Sequence, residues 1–270
     1  MKLEAGTVSA ITGAGSGIGR ALALNLSGKG CALALADIDA QSLEETAALA
    51  RTEASPKVTT HRVDVSDWQA VQRFADEAVS QHGGVQLLIN NAGVALGGTF
   101  DEITLDDFAW LMDINFWGVV YGVKAFLPIL QRQSSAHIVN LSSVFGLAAP
   151  PGQTAYASSK FAVRGFTEAL RAELRHTQIH VSTVHPGGIK TNIARNARTG
   201  VTDPARIQAG QKQWEKLLRI PPEQAAATIV RGITRNKARI LIGNDARLLD
   251  MLSRLFPGRV GSMLAAQAER

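Results

Sequence analysis

Thr7-Val8-Ser9-Ala10-Ile11-Thr12-Gly13-Ala14-Gly15-Ser16-Gly17-Ile18-Gly19-Arg20 decides how the rest of the chain is read. A short strand-like run ends in a glycine turn, and an apolar-periodic helix follows through about Gly28. Glycines let a backbone turn and approach a phosphate, whose charge then faces the helix N-terminus. A glycine pattern alone also fits a plain tight turn, so its surroundings carry the argument. Ala32-Leu33-Ala34-Leu35-Ala36 reads as a second strand and delivers Asp37 at its end, 18 residues after Gly19. A carboxylate there accepts hydrogen bonds from a ribose diol and repels a 2′-phosphate, which favours NAD over NADP.

Outward from this unit, strand and helix patterns alternate. They predict a helix over 39–53, a strand over 58–63 followed by Asp64-Val65, and a helix over 67–82. A buried strand over 85–89 leads to Asn90-Asn91-Ala92-Gly93, and one long apolar helix runs from Leu105 to about Arg132. A strand over 136–141 ends at Ser142-Ser143, a helix runs from Tyr156 through Arg175, and a further strand covers 179–184. A helix over 223–235 and a strand over 238–242 complete the series. Such alternation predicts an α/β fold with a doubly wound parallel sheet in three layers, α/β/α. Ligands of these sheets sit off the C-terminal strand ends, where Asp64, the Asn90–Gly93 group and the two serines fall. Asn115, an amide inside the apolar helix, needs partners: a structural bond or a place in a proton relay.

Tyr156-Ala157-Ser158-Ser159-Lys160 puts a phenol and an ammonium one above the other on a helix face. A free phenol has a pKa of about 10, and lowering it by three units takes roughly 4 kcal/mol. An ammonium about 4 Å away, at an effective dielectric near 20, supplies about that much. Such a pair on an exposed helix is commonly a surface contact; beside a nucleotide crevice it describes an acid–base group working near neutral pH.

The chain has 270 residues and a net charge of +5. Residues 1–189 hold 13 Lys/Arg against 17 Asp/Glu, whereas residues 190–259 hold 14 against 5. The basic third offers itself to an anionic substrate, a membrane surface or solvent. It lacks the basic–aromatic interleaving of a nucleic-acid binder, so no nucleic-acid partner is expected. Cys31, the single cysteine, excludes an intramolecular disulfide. With no signal-like start and no apolar run long enough to span a bilayer, a cytoplasmic protein is expected. His176 and His180 are four apart but lack a zinc-protease glutamate, so no metal is expected.

The ordered set Thr12-Gly13-x-x-x-Gly17-x-Gly19, Asn90-Asn91-Ala92-Gly93, Asn115, Ser143, Tyr156-x-x-x-Lys160 and Pro186-Gly187 resembles the short-chain dehydrogenase/reductase family. The resemblance spans residues 7 to about 191. It implies a Rossmann fold in a single domain over 1–270 and alcohol–ketone redox. It implies that Tyr156 exchanges the substrate's hydroxyl proton and Ser143 holds the substrate oxygen. Lys160 would lower the tyrosine pKa and bind the nicotinamide ribose, and Asn115 would position a water linking Lys160 to solvent. The family spacing selects Ser143 over Ser142. Cofactor contacts are implied for Gly13, Ser16, Gly17, Ile18, Gly19, Asp37, Asp64, Val65, Asn91, Ala92, Gly93, Tyr156, Lys160, Pro186, Gly187, Ile189 and Thr191. The segment 188–222 corresponds to the family's substrate lid, with a helix from Asp203-Pro204 whose apolar face holds Ile207, Gly210, Trp214, Leu217 and Leu218. A homotetramer or homodimer built on helices 105–132 and 155–175 is implied. The expected substrate is a bulky, hydrophobic secondary alcohol or ketone with NAD(H). An NADPH-dependent carbonyl reductase and a catalytically idle nucleotide-binding scaffold are the alternatives. The apolar, basic tail over 244–270 is expected to close the substrate pocket or pack in an oligomer, in preference to lying on a membrane.

Overall fold

The computed structural model describes residues 1–52 and 57–268. Its central sheet contains β1 (Val8–Thr12), β2 (Ala32–Asp37), β3 (Val58–Arg62), β4 (Leu87–Asn90), β5 (Ala136–Leu141), β6 (Ile179–Pro186) and β7 (Arg239–Ile242). All neighbours pair in parallel, in the order β3-β2-β1-β4-β5-β6-β7. Helices cover both faces, which is why the strands read as continuous apolar runs rather than alternating ones. Every residue of β5 is buried, for example.

The core divides about the sheet. One cluster joins Leu22 and Leu26 of α1 (Gly17–Ser27), Leu43 of α2 (Ala40–Ala50) and Ile229 and Ile233 of the helix Pro222–Thr234. The other joins Phe74 of α3 (Trp68–His82) with Val123 and Phe126 further along the chain. Local chemistry sets the ends. Asp39 accepts from the amides of Gln41 and Ser42, Asp67 from Gln69, and Gly83, with φ of 81°, ends α3 in the left-handed region.

Three features depart from the sequence expectations. The helix expected over 39–53 stops at Ala50, and Glu53 lies outside the described residues. The long helix is α4 (Leu105–Met112) and α5 (Gly118–Leu130), joined by a π-helical turn over Asp113–Trp117. That turn widens the helix by one residue where Asn115 must face inward, a use typical of π-bulges. Leu96–Gly97 also pairs with Arg198–Thr199 in a two-residue ribbon too short to leave a periodic pattern. The remaining helices are α6 (Thr154–Glu173), α7 (Pro204–Leu217), α8 (Pro222–Thr234), α9 (Asn244–Leu255) and α10 (Val260–Ala268). Asp203 accepts the Ala205 amide at the start of α7, as the Asp-Pro pair implies; the side chain of Trp214 lies outside the described residues. Strand order reverses between β1 and β4, and a crevice opens at such a switch point beyond the strand ends.

Candidate active site

The glycine turn after β1 has no room for side chains. A Cβ on Gly19 would stand 2.0 Å from the Gly13 carbonyl oxygen, and one on Gly13 would meet the Ala92 backbone at 2.8 Å. Gly13 and Gly17 have φ of 65° and 52°. Asn91 braces the turn: its Nδ2 donates to the carbonyls of Thr12 and Gly13, both at 2.9 Å. The Thr12 hydroxyl accepts the amides of Asn91 and Ala92 at 3.0 and 3.1 Å. Ser16 precedes α1 without a side-chain cap, which leaves the first-turn amides of Gly17, Ile18 and Gly19 for an external acceptor. A close-packed glycine cradle at an uncapped helix start fits a dinucleotide pyrophosphate. Thr191 lies against this turn, its Cγ2 3.0 Å from where a Gly17 Cβ would be.

Asp37, at the end of β2, accepts the Gly15 amide through Oδ2 at 2.8 Å and the Asp39 amide through Oδ1 at 3.1 Å. It therefore faces the turn, as the second-strand reading required. Arg20 closes the same corner by donating to the Gly15 carbonyl, the Thr46 hydroxyl, the Ser42 carbonyl and Glu45. Asp64 is exposed beyond β3 and accepts from the Ser66 amide and hydroxyl, while Val65 is buried against Gly118.

Asn115 is fully buried. Its Oδ1 accepts the Val94 amide at 2.8 Å, and its Nδ2 donates to the Val94 carbonyl at 2.9 Å and the Ser159 hydroxyl at 3.2 Å. A Cβ on Gly93 would stand 3.0 Å from Asn115 Oδ1 and 3.4 Å from Lys160 Nζ, so the amide and the ammonium converge on that glycine. Lys160 donates to the Leu141 carbonyl at 3.3 Å and lies 5.6 Å from the centre of the Tyr156 ring. Burial lowers its pKa to about 8.

Tyr156 corrects the simple charge argument. Burial raises its pKa, and the opposing influence is the neighbouring Ser143 hydroxyl rather than the Lys160 cation. The ammonium lies over the ring and points to a backbone carbonyl, so in this arrangement desolvation prevails. Ser143 begins the turn Val144–Gly146 and accepts the Phe145 amide at 3.1 Å, while the Phe145 ring meets Tyr156 edge-on at 6.2 Å. Ser142 donates instead to the Lys160 carbonyl at 2.8 Å, which anchors α6 and turns that hydroxyl away from the crevice.

Pro186 ends β6, and a Cβ on Gly187 would overlap the Asp245 carboxylate. Asp245 also accepts the Gly188 amide at 2.9 Å. Ile189 is buried in the core and bridges Ile220 through its backbone, so its side chain belongs to the packing.

Arg20, His185 and Asp245 were not singled out from the sequence, and Thr12 stood in the glycine motif without a role. His185, fully buried, hydrogen-bonds the Ser143 carbonyl through Nδ1 at 2.9 Å, and burial pushes its pKa down to about 4. The available signals were a hydroxyl closing a strand, a polar residue before Pro186 in an apolar strand, and an acid two residues after Gly243. No group of three or more His, Cys, Asp or Glu able to hold a metal occurs among the described residues.

The family described as short chain dehydrogenase matches residues 7–202. A Mycobacterium tuberculosis protein named as an oxidoreductase, SadH, is 47% identical over 265 residues, covering 97% of this chain and 95% of its own. Epidermal retinol dehydrogenase 2 of Homo sapiens is 32% identical, covering 98% of this chain and 82% of its own. Among solved structures, a short chain dehydrogenase/reductase from Burkholderia phymatum in complex with NAD superposes with a TM-score of 0.86 at 34% identity, covering 94% and 95% of the two chains.

Proposed function

The chain belongs to the short-chain dehydrogenase/reductase family, and from that membership we propose that it interconverts a bulky, apolar secondary alcohol and its ketone with NAD(H). It is an NAD(P)-dependent oxidoreductase of the hydride-transfer kind. The observation that carries the finer reading is the meeting of Ser143, Tyr156 and Lys160 at the C-terminal edge of the sheet, beside the braced glycine turn.

In this reading the Tyr156 hydroxyl gives its proton to the substrate oxygen in reduction and takes it back in oxidation. The Ser143 hydroxyl donates a hydrogen bond to the same oxygen and polarises it. Lys160, whose ammonium lies over the Tyr156 ring and donates to the Leu141 carbonyl, would bond a ribose hydroxyl of the cofactor, and the Ser143 hydroxyl is the neighbour that eases ionisation of Tyr156. Asn115 holds Val94 and Ser159 and so fixes the wall beside Lys160. Its Oδ1 accepts one amide and keeps a second lone pair, so it positions this wall and can still hold the water that the resemblance implies. The bound nicotinamide supplies or accepts the hydride.

The cofactor is held by the turn Gly13–Gly19, including Ser16, Gly17 and Ile18, with Asp37 at the adenosine ribose. Asp64 and Val65 serve the adenine, Asn91, Ala92 and Gly93 the crevice wall, and the backbone from Pro186 to Thr191 the nicotinamide. NAD is favoured because Asp37 is an acid and because Nε and Nη2 of Arg20 are engaged by protein groups. One observation favours NADP: exposed Arg62 is the register partner of Asp37. An apolar substrate is supported by the cluster of Val94, Leu96, Ile103, Phe108 and Trp110 that adjoins Tyr156. The human relative's name, which carries an apolar alcohol, points the same way. The segment 188–222 serves as the lid and 244–270 as an extension of a single domain. Exposed Trp117 and Phe161 support assembly into a dimer or tetramer through the helices over 105–132 and 155–175.

Titration with NADH and, separately, NADPH, followed by nicotinamide fluorescence, tests the cofactor assignment. Preference for NADH, narrowed by Asp37→Ala, is the expected result. Preference for NADPH would transfer the assignment to Arg62, and binding of neither would overturn the dinucleotide reading of the glycine turn.

A further inference from the structure

Helix α9 bonds its two acids to the fold and turns Leu248, Met251 and Leu255 to solvent, while Leu249 and Leu252 are half-buried. Leu248, Met251 and Leu255 are spaced three and four apart, share one face, and are 51%, 51% and 63% exposed. On the inward side Ala246 is buried and the Asp250 carboxylate binds Arg239 of β7. Asp245 faces the backbone of Gly188. Phe256 and Met263, 43% and 46% exposed, extend the apolar surface beyond the helix. Arg247, Arg254 and Arg259 flank it in solvent; Arg254 stays largely exposed although it reaches Asp250 at 3.4 Å. Of the two roles expected for this tail, closing the substrate pocket and packing in an oligomer, an outward stripe serves only the second, and a lipid surface is its competitor.

We propose that the outer face of α9, with Phe256 and Met263, rests on an anionic phospholipid surface. Apolar side chains rimmed by cations bury the one in the acyl boundary and set the other against lipid phosphates. A second copy docked by two-fold symmetry would place both sets of arginines around one apolar patch, and like charges so placed repel. The segment over 190–259 carries 14 Lys/Arg against 5 Asp/Glu, a net positive charge that favours approach to a negative surface. Among the described residues no helix is long and apolar enough to cross a membrane, so the contact is peripheral. Because Asp245 ties α9 to Gly188, a bilayer here would adjoin the start of the lid segment. The docking stands whether or not the hydride-transfer reading holds.

Co-sedimentation of the full chain with vesicles of phosphatidylglycerol and phosphatidylcholine, against phosphatidylcholine alone, tests this. The wild type should pellet with the anionic vesicles and be released by high salt. Leu248→Ser/Met251→Ser/Leu255→Ser should weaken binding about tenfold or more, and Arg247→Gln/Arg259→Gln should remove the preference for anionic lipid. Hydrogen exchange of the wild type should slow across 248–256 on addition of anionic vesicles, a readout that needs no variant to fold. A wild type that stays in the supernatant with both vesicles, or unchanged exchange over 248–256, overturns the proposal. So does a lipid-free assembly that the triple variant dissociates, which would assign the face to a second copy.

Discussion

Around the glycine turn the chain is held by hydrogen bonds to its backbone from Asn91, Asp37 and Arg20 and by glycines whose Cβ atoms would overlap backbone. Across the crevice, residues 198–206 are held by exposed charges. Arg198 stacks 3.7 Å over Trp110 and pairs with Asp107 at 3.0 Å, and Arg206 pairs with Glu102 at 2.6 Å. A two-residue ribbon completes the attachment. Contacts of the first kind define a fixed shape, because no neighbour can give. Those of the second kind are each worth about 1 kcal/mol or less and can break singly. The division suits a rigid nucleotide cradle facing a segment that admits substrate.

Tyr156, where the two regions meet, gives the largest expected effect. Tyr156→Phe removes the exchangeable proton and keeps the ring, so turnover should fall by about two to four powers of ten. NADH affinity should hold. Steady-state kinetics with a fluorescence titration on the same sample checks both, and retained turnover would remove Tyr156 from the chemistry.

Acid should weaken the buried sheet beside the crevice before the charged attachments of 198–206. His185, with its pKa pushed down to about 4 by burial, stays neutral in the fold while the unfolded chain protonates below about 6.5. Stability is therefore intact above pH 6.5 and is lost as pH falls towards 4, by roughly 3 kcal/mol from this group. His137, lowered to about 3 by burial, adds in the same direction. Glu102, pulled down to about 2 chiefly by the Thr99 amide and then by Arg206, keeps its charge throughout that window. Urea unfolding between pH 7.5 and 4.5 should show the decline, and His185→Asn should flatten it. An unchanged slope would mean that His185 protonates in place.

Gly19→Ala should cost about 1–3 kcal/mol of overpacking, since backbone stands at the new Cβ position. It should show as a lowered Tm together with weakened NADH binding; a wild-type titration curve would mean that the turn can relax. Arg198→Ala is a smaller change, because it removes one stacked cation and one exposed pair. KM should rise severalfold, from about 1 kcal/mol, with kcat and Tm nearly unchanged. A fall in kcat equal to the loss in kcat/KM would instead tie the residue to the transition state.

What was legible in the sequence follows the same division. The glycines stand where backbone geometry admits no side chain, Asp37 and Asn91 stand at strand ends, Tyr156 and Lys160 share a helix face, and Ser143 was told from Ser142 only by the family spacing. Asn115 was legible as a buried amide, but its π-turn was not, since an extra residue in a helix does not disturb an apolar pattern that already runs on all sides. His185 and Asp245 act through partners 42 and 57 residues away in the chain, and no local spacing encodes those contacts. The ribbon and the Arg198–Trp110 stack join residues far apart in the chain, and exposed charges carry no periodicity to announce a partner.

The same substitution made in the other region should have the opposite sign. Gly210 lies inside α7, and a Cβ there would meet nothing within 4 Å. Alanine relieves the conformational freedom that a helical glycine loses on folding, so Gly210→Ala should stabilise the chain by about 0.5–1 kcal/mol. The gain should appear as slower local hydrogen exchange in 204–217, with a small rise in Tm. Because the segment is proposed to move, a stiffer α7 should also slow exchange of bound substrate, lowering KM or kcat slightly while NADH affinity stays put. If Gly210→Ala destabilises as Gly19→Ala does, α7 is packed against something its exposure does not reveal, and the contrast between a fixed cradle and a lightly held lid fails at that helix.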